Sequence, residues 1–195
     1  MRKSLIILGG GGHCLSLLDL LDSDPEQIDV KIIDPMHQKG DLIGDTPVVS
    51  SSDAYLESIS CSDALLMVGL GFLGKSQRRF QLYQFGVRSG FSFAKLVSRT
   101  AFVSESSIIG NGSSIHHKVV VGPTVKVGQN VIINTGSILE HGVDVGDHSH
   151  VSTGVILNGD VSVGQGVFIG SGSIVFQGVS IPDGTIVPAG SILRD

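Results

Sequence analysis

The sequence predicts a chain in two parts, a small α/β section followed by a parallel β-helix of hexapeptide repeats. Three observations carry that expectation. From Val103 to Leu193 every sixth residue is Val, Ile or Leu. Upstream of that register, short apolar runs alternate with helical patterns. Glycine is abundant at 27 residues, aromatics make up 5% and tryptophan is absent, which suits repetitive β-architecture better than a helical bundle. The expected division is residues 1–97 and 98–195.

The first section reads as strands and helices in turn. "SLIIL" (Ser4–Leu8) is a short buried strand, and Gly9–Gly12 form a turn too flexible for a regular element. "HCLSLLDLLD" places Leu15, Leu17, Leu18 and Leu21 on a helical face, and "SDP" ends it. "VKIID" (Val30–Asp34) is a second strand closed by Pro35. A helix follows around Asp53–Ile59, then the strand "ALLMVG" (Ala64–Gly69), then a basic-polar helix from about Gly74 to Ser89. "FSFAKLV" (Phe91–Val97) closes the section. This order implies a small parallel sheet with helices on its faces.

The second section repeats every six residues. Two positions before each aliphatic lies a small or β-branched residue, such as Ser113, Val119 or Ser137, expected at tight corners. Glycine or asparagine often follows, as at Gly110, Gly122 and Asn134. Three hexads close one triangular coil, so each aliphatic stacks on the residue eighteen positions away, as in Val121–Leu139–Leu157–Val175–Leu193. Each such side chain contributes roughly 1.5–3 kcal/mol on burial. About five coils at ~4.8 Å give a column roughly 25 Å tall.

Bulk properties exclude several functions. Net charge is −5 and no run of Lys or Arg appears, so no footprint for nucleic acid or an anionic membrane is present. Cys14 and Cys61 show neither metal-ligand spacing nor a disulfide framework, which suits a reducing cytoplasm. The apolar run Leu5–Leu8 is too short for a signal peptide or a membrane span.

Two features point to chemistry. A strand, then "GGGGH", then a helix resembles a Rossmann-type phosphate turn, in which glycines let the backbone approach phosphate oxygens at a helix N-terminus. Asp34, at the end of the second strand, is placed to accept from ribose hydroxyls; the bland alternative is a glycine turn alone. The second feature is "NTGSILEHGVDVGDHSH", which holds His141, His148 and His150.

The blocks "LGGGGHCLSLLDLL", "VKIIDP", "VGLGFLGKSQRR" and "VIINTGSILEHGVDVGDHSHVSTGVILNGDVSVGQGVFIGSGSIV" occur in that order. Together they resemble the bacterial family of sialic-acid O-acetyltransferases and nucleotide-amino-sugar N-acetyltransferases, over nearly the whole chain. The resemblance implies a left-handed β-helix that assembles as a homotrimer and binds acetyl-CoA, and a small Rossmann-like N-terminal domain that binds a sugar nucleotide. It puts His13 beside the sugar or phosphate, with Gly11, Gly12, Asp34 and Gly71 around the nucleotide. Lys75 meets a phosphate or is a solvated surface lysine. Phe72 and Leu73 depart from the family's more polar loop, which implies a different base or sugar.

Three readings compete for the histidines. As residues at β-helix corners they are simply solvated, the reading preferred for His148. A trimeric zinc site of the carbonic-anhydrase kind needs two histidines five apart in one chain. The residues five after His116, His117, His141, His148 and His150 are Val121, Gly122, Gly146, Thr153 and Val155, so no metal is expected. As a general base, an imidazole of pKa ~6.5 takes a proton near neutral pH and adds roughly 10²–10⁴-fold to a rate.

The resemblance puts His141 at the base position, with Asn134 and His150 near the thioester arm of acetyl-CoA and Ser171 and Ala189 higher in the same groove. Gly159, one coil above His141, is a candidate oxyanion donor through its amide. The family usually carries an acid directly after this histidine, where this chain has Gly142. Glu140 precedes His141, but neighbours on an extended strand point to opposite faces, which leaves the orienting partner open. Three functions fit these residues: N-acetylation of a nucleotide-linked amino sugar in surface-glycan biosynthesis, O-acetylation of a sialic or related acid, or non-catalytic sugar-nucleotide binding.

Overall fold

A computed structural model describes residues 4–22, 28–74 and 76–194. The chain divides into two compact units, Met1–Gly71 with Gln77–Ala94, and Phe72–Ser76 with Lys95–Asp195. Among the described residues, no helix is long and apolar enough to cross a membrane.

The first unit is built on a sheet of six strands. In chain order they are β1 (Ser4–Leu8), β2 (Val30–Ile33), β3 (Leu42–Ile43), β4 (Thr46–Ser50), β5 (Ala64–Val68) and β6 (Ser92–Phe93). Their spatial order is β3-β4-β2-β1-β5-β6, parallel except for the β3–β4 hairpin at one edge. Central β1 is buried from Leu5 to Leu8, as a strand covered on both sides requires. The hairpin escapes sequence reading because β3 has two residues and β4 carries Pro47 inside it.

Helix α1 spans Gly12–Asp22 and α2 spans Arg78–Arg88. The "SDP" segment assigned to the end of α1 lies outside the described residues. Two helical expectations are corrected. Asp53–Ser58 is a short 3-10 helix, capped by Ser52 Oγ accepting from the Ala54 amide at 3.2 Å. Helix α2 starts at Arg78 rather than near Gly74, because Gly74 holds φ +80, incompatible with a right-handed helix. Arg79 of that helix is buried, and its Nη1 donates to the carbonyls of Val68 and Leu70 at 2.9 and 2.6 Å. Burial lowers its pKa to about 9, so the guanidinium stays charged at neutral pH.

The second unit stacks two-residue parallel strands into three sheets, the arrangement of a left-handed β-helix. Registers advance by eighteen residues: Val121 pairs with Leu139, Leu139 with Leu157, Leu157 with Val175 and Val175 with Leu193. The stretch Phe91–Val97 divides between the two sheet systems: Ser92–Phe93 pairs with β5, while Leu96–Val97 is the first rung of the coil, opposite Ser114–Ile115.

The corner residues do more than turn the chain. Val119, Val125, Val131, Val143, Val155, Val161 and Val167 are fully buried and belong to the same core as the aliphatic columns. Where serine replaces valine, its hydroxyl is satisfied inside the coil. Ser113 donates to Gly128 O at 2.7 Å and accepts from the Val131 amide at 2.9 Å; Ser149 does the same with Gly164 and Val167.

From Ile109 to Val187 the left-handed backbone position comes three residues after each inward aliphatic, not directly after it. Glycine fills it at Gly112, Gly136, Gly142 and Gly178, whereas Lys118, Thr124, Asn130, His148 and Asp160 adopt it at φ between 54 and 64. The glycines directly after the aliphatics serve close approach instead: a Cβ on Gly110 would overlap the Gly128 carbonyl.

The outer surfaces of the three faces differ in character. The first face carries Ser114, Ile132 and His150, all buried. The second presents Phe102, Val120, Ile138, Ile156, Ile174 and Ile192 in one apolar ladder, with Phe102 and Ile192 62% and 58% exposed. The third shows Lys126, Asp144, Ser162 and Ser180 to solvent.

Leu157→Ala is expected to cost about 2–5 kcal/mol, because the cavity sits in a column with neighbours on both rungs. Thermal unfolding should fall by roughly 5–15 °C, against a shift near zero for exposed Ser162→Ala. Equal shifts for the two variants would contradict this assignment of the core.

Candidate functional site

In the first unit, the turn after β1 separates into tight and open positions. Gly9 takes φ +102, its amide donates to Ile33 O at 2.8 Å, and a Cβ there would overlap Leu70. A Cβ on Gly10 would collide with Ile43 and press on Asp34. Gly11 and Gly12 instead face open space at the start of α1, the part of the turn able to admit an anion. His13 is half-buried beside Gly71, whose Cβ would lie 3.9 Å from that of His13. Lys75 lies outside the described residues, and Phe72 and Leu73 belong to the second unit.

Asp34 is more committed than its sequence position suggests. It is buried; Oδ2 accepts from the Gly10 amide at 2.6 Å, and Oδ1 takes the Met36 amide and His37 Nδ1, each at 2.8 Å. Three of roughly four acceptor sites on a carboxylate are thus used within the chain. Burial alone would raise its pKa, but the hydrogen bonds from His37, Gly10 and Met36 outweigh it and hold the group below the usual range. Cys14 close by is pushed up to about 12, first by burial and then by the charge of Asp34, so it stays a thiol and not a nucleophile.

In the second unit, the sequence candidates fall into two groups at opposite edges of the second face. Asn134, Ser171 and Ala189 lie in corners before that face, Ser171 and Ala189 one coil apart and Asn134 two coils before Ser171, and His150 sits on the first face beside them. His150 is buried: Nδ1 lies 2.6 Å from Phe72 O, so it carries the proton and donates. That leaves Nε2 to accept from Asn134 Nδ2 at 3.5 Å, while the ring edge meets Phe168 at 5.4 Å between centroids. Ser171 O receives the Gly190 amide at 2.9 Å, and Gly170 packs so close to Ala189 that a Cβ would overlap its backbone. His148 is not a free surface residue, because its Nδ1 accepts from buried Asn130 at 3.0 Å, one rung below.

His141 lies past the other edge. It borders an open depression of about 510 Å³ with Glu140, Asn158, Gly159, Ile174, Phe176 and Gln177. Both Glu140 and His141 follow the strand Ile138–Leu139 and sit in the turn, so the strand rule that would send them to opposite faces does not govern them. The His141 ring covers Gly159, where a Cβ would overlap Cε1 and Nε2. On the Nδ1 side stands Asp160, with Oδ1 at 3.8 Å.

Sequence reasoning missed Asp160, although the stacking step that links His141 to Gly159 also links Gly142 to Asp160. Phe176 and Gln177, one coil higher, were legible in the same way; Arg194 lies over the Phe176 ring at 5.3 Å. Among the described residues, no group of three or more His, Cys, Asp or Glu could hold a metal ion.

Residues 97–195 match the family model described as the GMPPB C-terminal domain. No curated protein matches the chain. Among solved structures, the acetyltransferase domain of PglB from Neisseria gonorrhoeae is 25% identical, with a TM-score of 0.91 over 99% of this chain and 92% of that one. The same domain in complex with acetyl coenzyme A is 25% identical, with a TM-score of 0.79 over 98% of each chain. A histidine-to-asparagine mutant of perosamine N-acetyltransferase from Caulobacter crescentus, in complex with CoA and GDP-perosamine, is 28% identical. Its TM-score is 0.87 over 100% of this chain and 90% of that one.

The Asp34 bonds predict a pH dependence. A carboxylate held below its unfolded pKa of ~3.9 stabilises the fold above that value and loses the contribution as pH falls through the folded one. The stability difference between wild type and Asp34→Asn should therefore be constant above the unfolded pKa and shrink as the pH falls below about 4. Denaturant unfolding at a series of pH values measures it, and a difference constant over the whole series would refute the assignment.

Proposed function

The chain belongs to the GMPPB C-terminal domain family, and we propose that it is an acetyl-CoA-dependent N-acetyltransferase acting on a nucleotide-linked amino sugar. One observation carries the reading: an exposed imidazole, His141, lies over Gly159 at an open depression with a carboxylate beside Nδ1. The likeness to acetyltransferases at 25% and 28% identity, over essentially the full chain, supports it.

Acetyl transfer from a thioester needs no enzyme nucleophile, only alignment and a proton acceptor, and alignment alone supplies ~7–11 kcal/mol. The amine nitrogen attacks the thioester carbonyl carbon while His141 Nε2 takes the amine proton. The Gly159 amide donates to the oxyanion. The C–S bond then breaks, and the imidazolium returns the proton to the departing thiolate. Glu140, on the wall of the same depression, adds negative potential that draws in the acceptor as its ammonium form, which gives up one proton to solvent before the free amine attacks.

Asn134, His150, Ser171 and Ala189 are assigned to the acetyl-CoA groove. The first unit is read as a Rossmann-like domain whose open glycines, Gly11 and Gly12, cradle the nucleotide phosphates beside His13, Gly71 and Asp34, with Lys75 a further phosphate ligand. No metal takes part. The enzyme serves surface-glycan biosynthesis in the bacterial cytoplasm.

Assembly as a homotrimer is part of the proposal. Within one chain the acetyl-CoA group and His141 flank the second face from opposite edges. The outer ladder of that face, Phe102 to Ile192, is apolar along its full length, as a protein interface requires. Copies meeting on it set the His141 edge of one against the Asn134 edge of the next. A hydroxyl of a sialic-type acid is open to the same base, and a non-catalytic sugar-nucleotide binder would need neither; an acceptor panel separates these.

His141→Ala should abolish free-thiol release from acetyl-CoA in the presence of the amino-sugar nucleotide, with the oligomer unchanged in light scattering. Undiminished turnover in that variant refutes the base assignment. Ile156→Asp, in the middle of the apolar ladder, should yield a folded monomer and cut turnover at least tenfold; an active monomer would sink the shared-site proposal.

A further inference from the structure

The acetyl-transfer reading leaves open what orients His141, and the coil supplies a candidate. We infer that Asp160 is the positioning residue of His141, a carboxylate provided from the next rung instead of the next residue. The inference rests on the proposed role of His141, but the pairing itself is a property of the fold.

Four observations converge on it. The Asp160 amide donates to His141 O at 2.9 Å, so the two residues are locked in register by the ladder itself. Asp160 Oδ1 stands 3.8 Å from His141 Nδ1, ion-pair range, and a small rotation of either exposed side chain closes it to a hydrogen bond. Gly142 vacates the space this carboxylate occupies, since a Cβ there would overlap Asp160 Oδ1. Asp160 also holds φ 59 at a corner where the rungs below and above carry Gly142 at 69 and Gly178 at 74. Glycine adopts that conformation freely and aspartate does not, so the fold gains nothing from an acid there.

The chemistry follows from the side of the ring that faces the carboxylate. With Asp160 beside Nδ1, the neutral imidazole keeps its proton on that nitrogen and leaves Nε2 unprotonated toward the depression. Nε2 is the atom the transfer reaction needs as an acceptor. The carboxylate also stabilises the imidazolium that forms when the acceptor amine loses its proton. Gly159 completes the arrangement by giving the ring a flat floor, which fixes its plane while Asp160 fixes its tautomer.

Nitrogen-15 NMR reads this directly, with His141→Ala identifying the resonance. In the wild-type protein His141 should populate the Nδ1–H tautomer, and in Asp160→Asn it should shift toward the Nε2–H form that free histidine favours. The same tautomer distribution in both proteins overturns the pairing, whether or not the chain transfers acetyl groups.

Turnover supplies the second arm. Asp160→Asn and Asp160→Gly should each lower kcat roughly 10–100-fold, the usual cost of losing an orienting partner, with KM for acetyl-CoA unchanged. Asp160→Gly should melt at or above the wild-type temperature, because glycine suits that corner, and Asp160→Glu should recover part of the loss. Wild-type kcat in Asp160→Gly overturns the inference. A wild-type protein that releases no thiol with any amino-sugar nucleotide would instead sink the acetyl-transfer reading and leave the tautomer result to judge the pairing.

Discussion

The parallel ladder that sets each residue over the one eighteen positions along is the constraint on which the second unit depends. It turns a linear sequence into columns. A column of aliphatics becomes core, a column of corner residues becomes an edge, and an outer column becomes a surface of one character. His141, Gly159 and Asp160 meet because two successive corners are superposed, not because they are close in sequence. The same superposition joins Asn130 to His148 and Ser113 to Val131.

Two histidines nine residues apart show how completely their place on a rung decides their chemistry. His150 stands on a covered face with one nitrogen donating to Phe72 O and the other toward Asn134, so its tautomer is set and its ring is held. His141 stands at an open corner with one side against a carboxylate and the other toward solvent. The first has the environment of a structural or binding group, the second that of a proton acceptor. Identical side chains carry neither assignment by themselves.

What was legible in the sequence was whatever repeats with a hydrophobic period. The inward aliphatics, the eighteen-residue step and the turn after Leu8 all follow from where apolar side chains and glycines recur. The left-handed corner positions did not, because five of them hold Lys, Thr, Asn, His and Asp, which carry no glycine signal. The β3–β4 hairpin was hidden by the brevity of β3 and the proline inside β4, and the late start of α2 by a positive φ that composition does not encode. Asp160 was hidden differently: the arithmetic was available, but an acid expected beside a histidine is sought along the chain and not across it. Asp34 was found, yet the bond it accepts from Gly10, far from it in sequence, is a tertiary fact that no local pattern announces.

The two edges of the second face are unlike one another, and in the proposed ring this makes every junction between copies head-to-tail. A pair of chains then contains a single completed reaction centre and two unfinished halves, whereas a closed ring contains as many centres as chains. Catalytic output per chain would climb more steeply with concentration than the mass of protein added, and dilution alone would switch the enzyme off without unfolding it. Closure of the circle, more than any side chain, would then govern how much product a given amount of this polypeptide can make.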